Sequence, residues 1–122
     1  MEEFEKWMEM ARDDLDSARV NFENGKYYVC AFLSQQVVEK ALKAVLLKNT
    51  GIVIKIHDLV ILGRKVDLSR DLLDKCELLS RVYIETRYGI SSRIPSQEFN
   101  KENTLEYFDI AKEVLLWAEK NI

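Results

Sequence analysis

The chain has 122 residues, 48% of them hydrophobic and 10% aromatic, with a formal net charge of −3. That length bounds it to one domain, residues 1–122, with room for a real core. The near-neutral balance excludes a global field that would draw in nucleic acid, and four Gly with one Pro leave too little punctuation for many short strands.

Charge is unevenly spread. Residues 1–16 hold seven acids (Glu2, Glu3, Glu5, Glu9, Asp13, Asp14, Asp16) against Lys6 and Arg12. Residues 26–65 hold seven bases (Lys26, Lys40, Lys43, Lys48, Lys55, Arg64, Lys65) against Glu39 and Asp58. The simplest account packs an acidic first helix beside a basic second segment; a charged face for a partner is the sharper one. The two cysteines, Cys30 and Cys76, fall in apolar helical patterns, which reads as buried free thiols in a reducing cytosol. With a single histidine, no metal-ligand cluster forms and no cofactor is implied. The opening Met1-Glu2-Glu3 lacks the basic, apolar run of a secretory leader, and no apolar stretch reaches membrane-spanning length. A cytoplasmic protein is expected.

In chain order, Phe4, Met8, Ala11, Leu15, Ala18 and Phe22 recur in alternating steps of four and three, the stripe of an amphipathic helix. Asn24-Gly25 supplies its stop. A second helix is predicted from Tyr27 to Lys48, with Ala31, Phe32, Val38, Leu42, Val45 and Leu46 inward, ending at Asn49-Thr50-Gly51. Ile52-Val53-Ile54-Lys55-Ile56 is β-branched but has no partner strand, so it reads as an ordered loop covering the bundle. A short helix should start near Asp58, carrying Leu59, Leu62 and Val66. Asp67 or Ser69 can cap the next, with Leu72, Leu73, Cys76, Leu79, Val82 and Tyr83 inward. Gly89 through Ser96 reads as a break. The last helix begins between Asn100 and Thr104, with Leu105, Phe108, Ala111, Leu115 and Ala118 inward. Short connections between long helices imply an all-α, up-and-down bundle of four long helices plus a short one.

Chemistry concentrates in Gln35-Gln36-Val37-Val38-Glu39-Lys40-Ala41-Leu42-Lys43, which runs a polar stripe through a helix that otherwise reads as buried. Gln36, Glu39 or Lys40, and Lys43 recur at three or four residues and share a face. Periodicity alone favours a solvated side with an internal ion pair such as Glu39–Lys43. The sharper reading is a cleft lined by an amide, a carboxylate and an ammonium, groups that suit phosphate or base recognition. His57 and Asp58 read first as a packed ring and a cap, second as ligand contacts. Arg87 and Tyr88 close the fourth helix, where an arginine can bond the last carbonyls or reach a phosphate. Arg81, Arg87 and Arg93 recur every six residues, which is not one helical face. There is no Gly-rich phosphate loop, no supported Ser-His-Asp set and no His-Glu-x-x-His.

These pieces together resemble the HEPN family (higher eukaryotes and prokaryotes nucleotide-binding domain). The resemblance rests on Tyr28, Ala31, Ser34-Gln35-Gln36, Glu39 to Ala44, His57-Asp58-Leu59, the opening Ala-Arg-Asp-Asp-Leu at Ala11 to Leu15, Arg87-Tyr88 and a terminal Ala-Lys-Glu-Val helix. It implies a helical bundle that dimerises, binds nucleotides, pairs with a small nucleotidyltransferase as in toxin–antitoxin systems, or cleaves RNA. The ribonuclease branch carries Arg followed four to six residues later by His, a pair suited to activating a 2′-hydroxyl without metal. Here no histidine follows Arg81 or Arg87, and His57 precedes both. The resulting expectation is a binding module more than an enzyme. It would be a homodimer that recognises a nucleotide or a nucleotidyltransferase partner through Gln36, Glu39, Lys40, Lys43, His57, Asp58, Arg87 and Tyr88. RNA contact stays open. The rivals are a metal-independent ribonuclease using Arg87 with a base other than histidine, and a purely structural interaction protein.

Overall fold

The computed structural model describes residues 1–87 and 94–122, with Glu85, Thr86 and Arg87 described by backbone alone. The helices are α1 (Glu3–Glu23), α2 (Tyr27–Thr50), α3 (Leu59–Lys65), α4 (Arg70–Arg87), α5 (Pro95–Glu98) and α6 (Lys101–Lys120). The fold is an all-helical, up-and-down bundle, as the periodicity predicts. No helix among the described residues is long and apolar enough to cross a membrane.

Local chemistry sets the ends of these helices. After α1, Gly25 takes φ 73°, a left-handed turn that lets the Lys26 N–H reach the Asn21 carbonyl at 2.8 Å. Gly51 repeats the device after α2 at φ 74°, donating to the Leu47 carbonyl at 2.7 Å. Asp58 caps α3, its Oδ1 accepting from the Val60 and Ile61 N–H groups at 2.9 and 3.1 Å. Ser69, and not Asp67, caps α4 by accepting from the Leu72 N–H at 3.3 Å. Asp67 instead holds φ 57° in the tight link between α3 and α4. Asn100 and Asn103 cap α6 reciprocally at 2.9 and 3.0 Å.

The helix α2 is the axis of the bundle. It packs against α1, α3, α4, α5 and α6. Its buried residues therefore lie on several faces, including Cys30, Ala31, Val37, Val38, Ala41, Leu42, Ala44 and Val45. Ala11, Ala41, Ala111 and Ala118 are wholly buried, and their small side chains allow close approach of α1, α2 and α6. Leu79 and Val82 of α4 and Val114 and Leu115 of α6 complete the same cluster. At Gly63 a methyl group would lie 2.8 Å from Leu73 Cδ2, so the missing side chain is what seats α3 against α4.

Two expectations are corrected. Leu105 lies 42% exposed on the outer side of α6, because the helix buries Thr104 and Phe108 beside it. The break before α6 closes earlier than Ser96: Pro95 occupies the first turn of α5, where its absent N–H costs nothing. There are accordingly two short helices among the described residues, not one.

Cys30 and Cys76 are both buried free thiols. Burial pushes Cys30 up to about 11, against a smaller opposite pull from Ser34. Burial pushes Cys76 up to about 12. Thiolate is the reactive form, so neither should react with a disulfide reagent at pH 8 in the folded protein. Both should react on unfolding in denaturant. A native thiol titrating within seconds would show that α2 or α4 opens locally.

Candidate functional site

Because α2 is central, the polar stripe on it faces inward. Gln35 is 0% exposed, Glu39 5% and Lys43 7%. Charged groups at such depth cost several kcal/mol each unless paired. The pairing here is continuous. Gln36 Nε2 donates to Gln35 Oε1 at 2.6 Å, and Gln35 Nε2 donates to Glu39 Oε1 at 3.2 Å. Lys43 Nζ donates to Glu39 Oε2 at 3.0 Å, and its ammonium also lies 5.7 Å from the Trp7 ring centre on α1. His57 Nδ1 reaches the same Glu39 Oε2 at 2.9 Å. No buried side-chain polar atom among the described residues lacks a partner. The solvated polar face that periodicity favours is thus corrected. The Glu39–Lys43 pair forms, but inside the bundle.

Burial pushes the Glu39 carboxyl up. The hydrogen bonds from His57, Lys43 and Gln35, with the charge of Lys43, outweigh that and leave it below the ordinary carboxylate range. A carboxylate only accepts, so the hydrogen of this contact sits on His57 Nδ1. Nε2 is the ring nitrogen left to act on anything else. Lys40, one residue along from Glu39, points elsewhere. It pairs with Asp14 and ties α2 to the acidic α1, as the charge asymmetry suggests.

His57 also leaves the core. Its side chain is 54% exposed and its ring stacks on Tyr83 of α4, with centroids 5.3 Å apart and planes 16° from parallel. His57, Asp58, Ser80, Arg81, Tyr83 and Ile84 line a cleft of 360 Å³ between the loop before α3 and α4. Ser80 Oγ closes its floor by accepting from the Leu59 N–H at 3.2 Å. The Asp58 carboxylate is occupied by its cap, so Arg81 gives the cleft an exposed cation. The cleft therefore offers a half-exposed aromatic face, an imidazole nitrogen, a guanidinium and the apolar wall of Ile84.

Of the residues singled out in sequence, Gln36, Glu39, Lys43 and His57 join one network, Asp58 lines the cleft beside them, and Lys40 stands apart on Asp14. The Arg87 side chain and Tyr88 lie outside the described residues. Trp7, Ser80, Arg81, Tyr83 and Ile84 are additions. Gln35 was legible as the i, i+4, i+8 companion of Glu39 and Lys43. On α4, Ser80, Arg81 and Ile84 share one face, a signal hidden when the arginines alone are compared. No group of three or more His, Cys, Asp or Glu suited to a metal ion occurs among the described residues.

The network makes a stability prediction. Glu39→Leu should cost about 3–5 kcal/mol, because it leaves Lys43 buried and unpaired. Adding Lys43→Met should recover most of that loss in urea denaturation. The depressed Glu39 contributes stability that is complete above the ordinary value of 4.5 and is lost as pH falls through its lowered value. Wild type should therefore lose more stability between pH 5 and pH 3 than the double variant. Equal losses would mean the carboxylate is not held ionised.

Three comparisons bear on kinship. A family model, the HEPN domain, matches residues 4–121. No curated protein matches. Among solved structures, the protein TT1696 from Thermus thermophilus superposes with a TM-score of 0.92 at 28% identity, covering 100% of both chains. ST0689, an archaeal HEPN homologue, superposes with a TM-score of 0.81 at 30% identity, covering 98% of each. The family match spans the same helices that carry the buried Glu39 network and the cleft, and the chain belongs to the HEPN domain family.

Proposed function

We propose that this protein is a nucleotide-binding module and that the cleft of His57, Arg81 and Tyr83 is its binding site. The observation that carries this reading is the His57 ring. Glu39 pins its edge and Tyr83 backs one face, yet the side chain stays half exposed in a cleft that Arg81 also lines. A pre-oriented aromatic face stacks a base at little entropic cost, and an adjacent cation suits phosphate. The buried Lys43 and the Asp14-bound Lys40 support the ring and the bundle; they do not contact the ligand. With one exposed cation lining the cleft among the described residues and no Gly-rich loop, binding is weak and gains little from extra phosphates.

Calorimetry with AMP, GMP, ATP and GTP tests this. Monophosphates and triphosphates should bind with similar, roughly millimolar to submillimolar affinity, the range left by one stacked base and one ion pair. His57→Ala and Arg81→Ala should each weaken binding about tenfold, and His57→Phe should retain most of it by keeping the stack. Silence from wild type at millimolar ligand, or binding indifferent to both alanine variants, sinks the reading.

The same reading includes self-association. Ile84, which lines the cleft on α4, and Ile61 on the neighbouring α3 are 50% and 40% exposed. Exposed aliphatic groups at a site mark a contact surface. A second copy of the chain is the proposed occupant, with a small nucleotidyltransferase, which the family resemblance implies, as the rival for that face. Sedimentation at micromolar concentration should give about twice 14.3 kDa. Ile84→Glu should return the monomer. A monomeric wild type overturns the self-association reading.

A further inference from the structure

The loop between α2 and α3 carries a feature the cleft does not use. Residues 52–58 contain no turn or bend, and no residue in that run has positive φ, so the chain runs extended. The run is β-branched at Ile52, Val53, Ile54 and Ile56. Ile54 and Ile56 lean on the bundle, whereas Val53 and Lys55 face water. No backbone N–H or C=O from Val53 to Ile56 makes a hydrogen bond to any described residue. It is an extended run with no sheet partner among the described residues, which is the condition of an open sheet edge.

Beside it lies an apolar groove of 250 Å³ lined by Leu46, Thr50, Ile52, Ile54 and Lys65. Lys55 and Lys65 have no carboxylate partner among the described residues. Asp58, the acid at the end of the run, is held by its cap. The edge is therefore apolar, unpaired and cationic at once. Lysine on an edge resists pairing with a second copy, because that would bring two like-charged edges together. The same charge favours an acidic strand.

We propose that residues 52–56 form a docking edge for an extended, acidic and aliphatic peptide segment of a partner protein. The segment adds as a β-strand, with an aliphatic side chain in the groove and carboxylates on Lys55 and Lys65. Backbone pairing supplies affinity and the groove with its two lysines supplies selection. RNA is the weaker candidate because no aromatic side chain lines the groove to stack a base.

The test uses a fluorescent hexapeptide alternating valine and glutamate, the same peptide N-methylated on alternate amides, its valine–lysine counterpart, and oligouridine. The valine–glutamate peptide should bind, and its saturation should shift backbone amides of residues 52–56 and 65. N-methylation in the pairing register should weaken binding at least about tenfold, the loss of two or three net backbone hydrogen bonds. Lys55→Glu with Lys65→Glu should reverse the preference, so that the valine–lysine peptide binds instead; both sites are on the surface, and the gain of binding itself reports a folded protein. The proposal is overturned by equal binding of the N-methylated peptide, by no binding at millimolar peptide, by amide shifts confined to the His57 cleft, or by oligouridine binding more tightly at the same salt.

Discussion

A single carboxylate inside the bundle orders what surrounds it. Glu39 accepts from Gln35 and Lys43 on its own helix and from His57 on the loop beyond it. In a low-dielectric interior, losing any one donor exposes the others to the cost of an unpaired charge. The loop after α2 is thus tied at His57 to the core of the protein, and the ring is held in one orientation and one tautomer. Lys43 extends the tie to Trp7 of α1, and the stacked Tyr83 extends it to α4.

That arrangement requires α2 to be central. An amphipathic surface helix would have left the stripe in water, where Glu39 and Lys43 would form an ordinary i, i+4 pair worth a few tenths of a kcal/mol. Neighbours on several sides convert the same spacing into a buried network. The acidic α1 suits this position, since its Asp14 takes Lys40 on the adjacent face while the wholly buried Ala11 lets α1 approach closely. The helix that reads as least amphipathic is the one around which the others assemble.

The loop between α2 and α3 then has two unlike ends. At His57 and Asp58 it is tied by side chains, one to Glu39 and one to the first turn of α3. Between Val53 and Ile56 its backbone is unpaired and only Ile54 and Ile56 rest on the bundle. Rigid anchoring beside open backbone is a common division between a positioned side chain and an adaptable contact surface. An aromatic face and unpaired main-chain groups thus lie within a few residues of each other.

Much of this was written in the sequence because it is local. The 3–4 spacing from Phe4 to Phe22, the stops at Gly25 and Gly51, and the cap at Asp58 each depend on residues within one turn, and each holds. The fold class followed from them, whereas the family rested on the resemblance carried by such residues as Ser34-Gln35-Gln36, Glu39 to Ala44 and His57-Asp58-Leu59. The polar stripe was visible too, but not its burial, because whether Glu39 faces water depends on what packs over it. His57 bonds Glu39, Trp7 sits against Lys43 and Tyr83 stacks on His57, at 18, 32 and 44 residues from Glu39 in the chain, distances over which periodicity carries no information. For the same reason Leu105 fits an inward stripe by spacing yet lies outside. Arg81 joins the cleft only because α4 happens to run past the loop at Ser80. Sequence determined the helices and the chemistry available to them; tertiary packing decided which of those groups left water, since desolvation is a property of neighbours and not of the residue itself.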